Sequence, residues 1–197
     1  MRIALTIDTE LAGHVSKPGN STRQLDALAA AGVPATFFVQ GRWAGACPQL
    51  ARRIVADGHL LGNHSNHHAP LDMMTEVGIR HTVQRAEETL TKITGIDPRP
   101  WFRCPYGDGE DDPRVLGVLA ELGYRNVGWD VAPEDWTDER DADDLVETIV
   151  AGAVAAGDGA RVLLHSWPDV TAATLPRIIA RLREAGAELV RVDELEG

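Results

Sequence analysis

Three imidazoles fall within five residues, at His64, His67 and His68 of the run Gly62-Asn63-His64-Ser65-Asn66-His67-His68. Side chains four apart share a face on a helix or tight turn, so His64 and His68 can turn two neutral nitrogens toward one divalent cation. His64 and His67, three apart, can converge as well. Catalytic zinc sites commonly combine two His with a carboxylate and leave a position open for water or substrate. Carboxylates stand far upstream in Asp8-Thr9-Glu10, and another imidazole, His165, lies far downstream. Such a set suits hydrolysis by an activated water.

Residues this distant in sequence act together only if the fold gathers them. The chain alternates short apolar runs with amphipathic ones, which predicts strands at Ile3–Ile7, Ala35–Val39, His59–Gly62, Trp101–Phe102, Asn126–Trp129, Arg161–His165 and Glu188–Val192. Helices are expected at Ser21–Ala31, Cys47–Asp57, Met74–Thr94, Pro113–Leu122, Asp143–Ala155 and Leu175–Ala185. Glycines at 32, 58, 95, 123 and 186 suit left-handed helix ends. Asp8 and Glu10, His64 and His68, Arg103, Asp130 and His165 each follow a strand, and no GxGxxG or Walker loop marks an open-sheet switch point. A closed or nearly closed sheet brings many strand ends around one mouth. The expected fold is α/β, a (β/α) barrel of about seven units, fewer than eight because the chain is short.

At 197 residues, the chain suits one domain spanning 1–197 with a sizeable core. Its 44% hydrophobic and 25% charged content are those of a globular protein. A net charge of -11 argues against nucleic acid or anionic lipid as partner and favours neutral or cationic ones. No apolar run approaches the ~18 to 20 residues of a membrane span, and Met1–Ile7 enters a strand rather than a cleavable signal. The expectation is no membrane insertion, with a cytoplasmic location as written, or a secreted or cell-wall-associated one for a trimmed mature domain. Cys47 and Cys104 form no CxxC pair and are expected to be unpaired thiols, with Cys104 potentially reactive beside Arg103. Oligomeric state has no signature here.

Five ordered segments resemble the motifs of the polysaccharide deacetylases, the NodB-homology domains of carbohydrate esterase family 4. They are Thr6-Ile7-Asp8-Thr9-Glu10, His64-Ser65-Asn66-His67-His68, Arg103-Cys104-Pro105-Tyr106-Gly107, Trp129 to Trp136, and Leu163-Leu164-His165. The resemblance covers essentially the whole chain. It implies a distorted barrel and metal-dependent removal of acetyl groups from N-acetylated, and possibly O-acetylated, sugars. Chitin oligomers, peptidoglycan and acetylated xylan are all substrates of the implied kind.

By the same resemblance, His64 and His68 hold the metal, Asp8 is the general base and His165 the general acid. Arg103 orients Asp8, and the backbone N–H of Tyr106, stiffened by Pro105, stabilises the oxyanion. Trp136 and Leu163 would line the acetyl pocket, with Pro105 beside them; barrel core is the ordinary reading for both. Zinc suits two imidazoles and a carboxylate, although cobalt, nickel or manganese can use the same ligands.

Two departures stand out. The family commonly has a second Asp on the metal where this chain has Thr9, which leaves Glu10 as the expected third ligand and His14 as a weaker substitute. An acid expected in the fourth motif falls on Ala132, leaving Asp130 or Asp135 to support Arg103 and tune His165. His67 is expected to be a bystander, and His59 and His81 structural. Two other classes fit these residues less well: a C–N hydrolase of small cyclic imides, ureides or amides, and a binding homologue without catalysis. Retention of Asp8 and His165 weighs against the latter.

Overall fold

The computed structural model describes residues 1–11, 17–137 and 139–195. The order is β1 (Arg2–Thr9), α1 (Pro18–Ala31), β2 (Thr36–Val39), α2 (Gly41–Ala46), α3 (Pro48–Ala56), β3 (Leu60–Asn63), α4 (Glu76–Thr94) and β4 (Trp101–Phe102). Then come α5 (Pro113–Glu121), β5 (Arg125–Asn126), α6 (Ala142–Ala156), β6 (Ala160–His165), α7 (Asp169–Glu184), β7 (Glu188–Val190) and α8 (Val192–Leu195).

Among the described residues, all seven strands pair in parallel in the order β5-β4-β3-β2-β1-β6, and β7 joins the first half of β1. The sheet curls into a half-barrel because one segment reaches both of its edges. Arg125–Asn126 pairs with β4, and Val131 then bridges to Val162 of β6. Among the described residues, no helix is long and apolar enough to cross a membrane.

β1 shows how the strands build the site. Ile3, Leu5 and Ile7 pack into the large core shared with the helices. The alternate positions point the other way, as the two-residue period of a strand requires. Along that inner face Ala4 packs in an apolar cluster with Phe38 and Trp101, Thr6 offers a hydroxyl and Asp8 a carboxylate. The interior thus changes from apolar to charged toward the C-terminal ends of the strands.

Local signals explain the helix boundaries. Proline opens α1, α3 and α5, where its missing N–H costs no helical bond. Thr75, Asp112 and Asp141 cap α4, α5 and α6 through side-chain oxygens. Four expectations need correction. The strand expected at Glu188–Val192 ends at Val190, and Val192 already opens α8. The short α2 was not expected. The helix expected from Leu175 begins at Asp169 and carries Pro176 within it. The strand expected at Asn126–Trp129 stops at Asn126, because the carbonyls of Val127 and Gly128 are spent on Arg103 instead of a ladder.

Candidate active site

The histidine run forms a turn, not a helix. Asn63, at the end of β3, accepts the Ser65 N–H through Oδ1 at 2.9 Å and donates from Nδ2 to the Val83 carbonyl at 3.0 Å. Ser65 and His68 take left-handed φ values of 57° and 56°, and Ser65 Oγ accepts the His68 N–H at 3.1 Å. This double reversal brings the His64 and His68 rings to 4.7 Å between centroids. His67 is left exposed.

His64 Nδ1 lies 2.8 Å from the Arg103 carbonyl, which can only accept, so that nitrogen carries the proton. Nε2 is consequently a lone pair, buried and, among the described residues, without a hydrogen-bond partner. Burial and the neighbouring His68 push the pKa of His64 down to about 4, against the pull of Asp8 and Glu10, so the ring is neutral at neutral pH. Glu10 contacts His68 Nε2 through Oε2, which also lies 3.8 Å from His64 Nε2, while Oε1 accepts from Trp167 Nε1 at 3.3 Å. Burial alone would raise its pKa; His68, then His64 and His165, outweigh it and hold the carboxyl at about 2.

An orphaned imidazole lone pair beside an ionised carboxylate is a donor set that fits a divalent cation. Glu10, His64 and His68 each present one ligand atom, all within 4.8 Å of one another. Thr9 turns its hydroxyl toward the Ile7 carbonyl, 3.4 Å away. His14 lies outside the described residues.

Asp8 Oδ1 accepts from Arg103 Nη1 at 2.8 Å, and Oδ2 lies 3.5 Å from His64 Nε2. Arg103 is fully buried, with its guanidinium over the Phe38 ring at 4.2 Å. Nε donates to Val127 O at 2.9 Å, Nη2 to Gly128 O at 3.0 Å, and Nη1 also to Thr6 Oγ1 at 2.9 Å. Neither Asp130 nor Asp135 supports this arginine, contrary to the expectation. Two backbone carbonyls do so, Ala132 is exposed, and Asp130 pairs with Arg161.

Asp135 belongs to His165. Its Oδ1 accepts from His165 Nδ1 at 2.7 Å, and Oδ2 accepts the His165 N–H at 2.8 Å and the Thr171 hydroxyl at 2.6 Å. Burial disfavours the imidazolium, but Asp135, with Asp8 and Glu10 behind it, holds the pKa of His165 above its ordinary value.

These groups meet at a cavity of about 260 Å³ lined by Asp8, Glu10, His68, Tyr106, Leu163 and His165, with Trp129, Trp136 and Trp167 completing the wall. Trp129 and Trp167 were not expected there. Trp129 begins the fourth motif and Trp167 lies two residues beyond His165, the only sequence signals they offer. Pro105, expected near substrate, is buried in the turn before Tyr106 and is absent from the cavity wall. Tyr106 has φ 61° and ψ 1°, and the turn's own hydrogen bonds, Gly107 to Cys104 and Asp108 to Pro105, pass over its amide. Its ring stands edge-on to His68 at 4.3 Å.

The other expected groups lie elsewhere. His59 Nδ1 accepts the Ala35 N–H at 3.2 Å within the fold, and His81 is exposed. The expectation of a reactive Cys104 is corrected: burial, aided by Glu110 and Asp108, pushes its thiol up to about 12. Neither Cys47 nor Cys104 forms a disulfide.

A curled parallel sheet with imidazoles and carboxylates gathered at its C-terminal strand ends is the arrangement in which barrel folds carry their sites. The chain belongs to the polysaccharide deacetylase family, whose model matches residues 1–127. It is 34% identical over 196 residues to the peptidoglycan-N-acetylglucosamine deacetylase PgdA of Listeria monocytogenes, covering 100% of this chain and 39% of that protein. It is 34% identical over 175 residues to a chitooligosaccharide deacetylase of Sinorhizobium fredii, covering 82% and 79% respectively. The chain therefore spans about two fifths of the Listeria relative and most of the Sinorhizobium one. Among solved structures, it resembles a mutant CE4 family pseudoenzyme with restored activity, whose wild type is from Bacillus anthracis. That match has a TM-score of 0.88 and 27% identity over 98% of this chain and 66% of the other.

Proposed function

We propose that this protein is a divalent-metal-dependent hydrolase that removes acetyl groups from N-acetylated carbohydrate, of the chitooligosaccharide or peptidoglycan kind. The observation that carries the reading is convergence: Asp8, His165 and two of the three cation-type donors, Glu10 and His68, line one cavity.

Held by Glu10, His64 and His68, a divalent ion would acidify water and polarise the acetyl carbonyl. Two imidazoles and a carboxylate favour zinc, with cobalt, nickel or manganese as alternatives. Asp8 accepts the proton of the attacking water, and Arg103 keeps that carboxylate aimed. The Tyr106 N–H donates to the carbonyl oxygen as negative charge develops there. His165, held through Nδ1 by Asp135, gives its Nε2 proton to the departing amine. Leu163 and Trp136 shelter the acetyl methyl group.

The test is acetate release from N-acetylglucosamine oligomers, measured beside small cyclic imides and amides, with zinc and after chelation. The reading expects metal-dependent acetate release that Asp8→Asn abolishes. Turnover of the imides alone, or activity unchanged by chelation, would overturn it.

A further inference from the structure

The third ligand differs in kind from the other two. His64 is locked by a hydrogen bond to the Arg103 carbonyl, and His68 lies in a turn pinned by Ser65. Glu10 lies just beyond the end of β1 and has three side-chain torsions to restrain. Ordering a Glu side chain costs more rotamer freedom than ordering a shorter one. A ligand of this reach needs something to hold it.

We infer that Trp167 is the positioning residue for Glu10, its indole N–H pinning one carboxylate oxygen so that the other faces the imidazoles. The inference rests on reading Glu10, His64 and His68 as the metal ligands. Trp167 Nε1 donates to Glu10 Oε1 at 3.3 Å, and it is Oε2 that approaches His68 and His64. The backbone that carries the indole is held at two points. The Trp167 carbonyl accepts from Asn20 Nδ2 of α1 at 2.7 Å, and the adjacent Ser166 N–H donates to the Asp8 carbonyl at 2.9 Å. The fold thus fixes the backbone from which the indole reaches Glu10 Oε1.

Indole chemistry suits the task. It donates but never accepts, so it cannot compete for the cation. It is also neutral, so it leaves the carboxylate its full charge, which a lysine or arginine in its place would partly cancel. Such outer partners of metal ligands typically contribute ten- to hundredfold to affinity.

The experiment measures zinc affinity by competition with a chromophoric chelator, alongside the melting temperature of the metal-free protein. Two changes at position 167 are compared with wild type: Trp167→Phe, and benzothienylalanine, which keeps the ring shape and replaces only the N–H by sulfur. Roughly ten- to hundredfold weaker zinc binding in both, with the metal-free melting temperature of the benzothienylalanine protein unchanged, supports the inference. Wild-type zinc affinity in the benzothienylalanine protein overturns it, even where Trp167→Phe fails to fold. The metal reading has its own control. If changing His64 and His68 to Ala leaves zinc affinity at the wild-type value, that reading fails and this inference with it; a loss there with no change at position 167 sinks the inference alone.

Discussion

Asp135 holds His165 at two points, accepting the ring Nδ1–H at 2.7 Å and the backbone N–H at 2.8 Å. The doubled grip fixes the tautomer and aims Nε2 together. It also keeps the imidazole protonated to higher pH than usual, against the effect of burial. Asp135→Asn removes the charge while keeping most of the shape. Turnover should fall by roughly 100-fold or more, the scale of lost general acid catalysis. The alkaline limb of the kcat profile should move to lower pH, because the acid now loses its proton sooner. An unmoved alkaline limb would show that His165 is not the acid.

Glu10 and Thr9 make opposite predictions. Thr9→Ala should leave zinc affinity within about threefold, while Glu10→Ala should cost far more than the ten- to hundredfold typical of an outer partner. Equilibrium dialysis of each variant decides between them. Loss of zinc in Thr9→Ala would return the ligand role to the neighbouring position.

Arg103 is buried with its donors committed to Asp8, Thr6, Val127 and Gly128. A lysine ammonium cannot reproduce that planar fork. Arg103→Lys should destabilise the protein by about 3 kcal/mol, as breaking a buried charged network does. The melting temperature should drop by roughly 6–12 °C for a chain of this size. Calorimetry of the metal-free variant checks this; a melt within a degree or two of wild type would contradict it.

Tyr106 sits at φ 61°, a conformation that costs a non-glycine residue about 1–2 kcal/mol. Its proposed part in the reaction is a backbone N–H, so Tyr106→Gly should keep kcat within about tenfold and leave the protein as stable or slightly more so. Tyr106→Pro removes the N–H and cannot adopt that φ, and should abolish acetate release. Equal activity of the two variants would remove the amide from the mechanism.

His64 makes the metal-free protein sensitive to acid. In the folded state it titrates at about 4, against 6.5 ordinarily. Between those values the unfolded chain binds a proton that the folded state refuses, so stability falls as pH drops through this window. The loss is on the order of 3 kcal/mol. His165 has the opposite sign: its raised pKa gives stability that is present at low pH and lost as pH rises through the folded value. Urea melts from pH 7 to pH 4 should show the decline, and His64→Gln should flatten it.

Much of this was legible in the linear chain. Strands such as β1, β2 and β6 are short apolar runs buried on both faces, and the reactive residues Asp8, His64, Arg103 and His165 follow such runs directly. Less legible were elements whose signal is weak or misleading. α2 is six residues with two glycines, too short for a helical period to show. The helix expected from Leu175 begins earlier, at Asp169, and takes Pro176 into its interior.

By itself, the sequence determined the alternation of strand and helix, the kinds of ligand available and the strand ends on which they sit, because these depend on side-chain type and local period. Only the tertiary structure decided what holds them. The supports of Arg103 are the carbonyls of Val127 and Gly128, and a backbone carbonyl leaves no mark in a sequence. Asp135 serves His165 rather than Arg103, and Trp167 reaches Glu10 across 157 positions. Such pairings arise from how the sheet curls and where its edges meet, and no local pattern encodes a distance between residues on different strands.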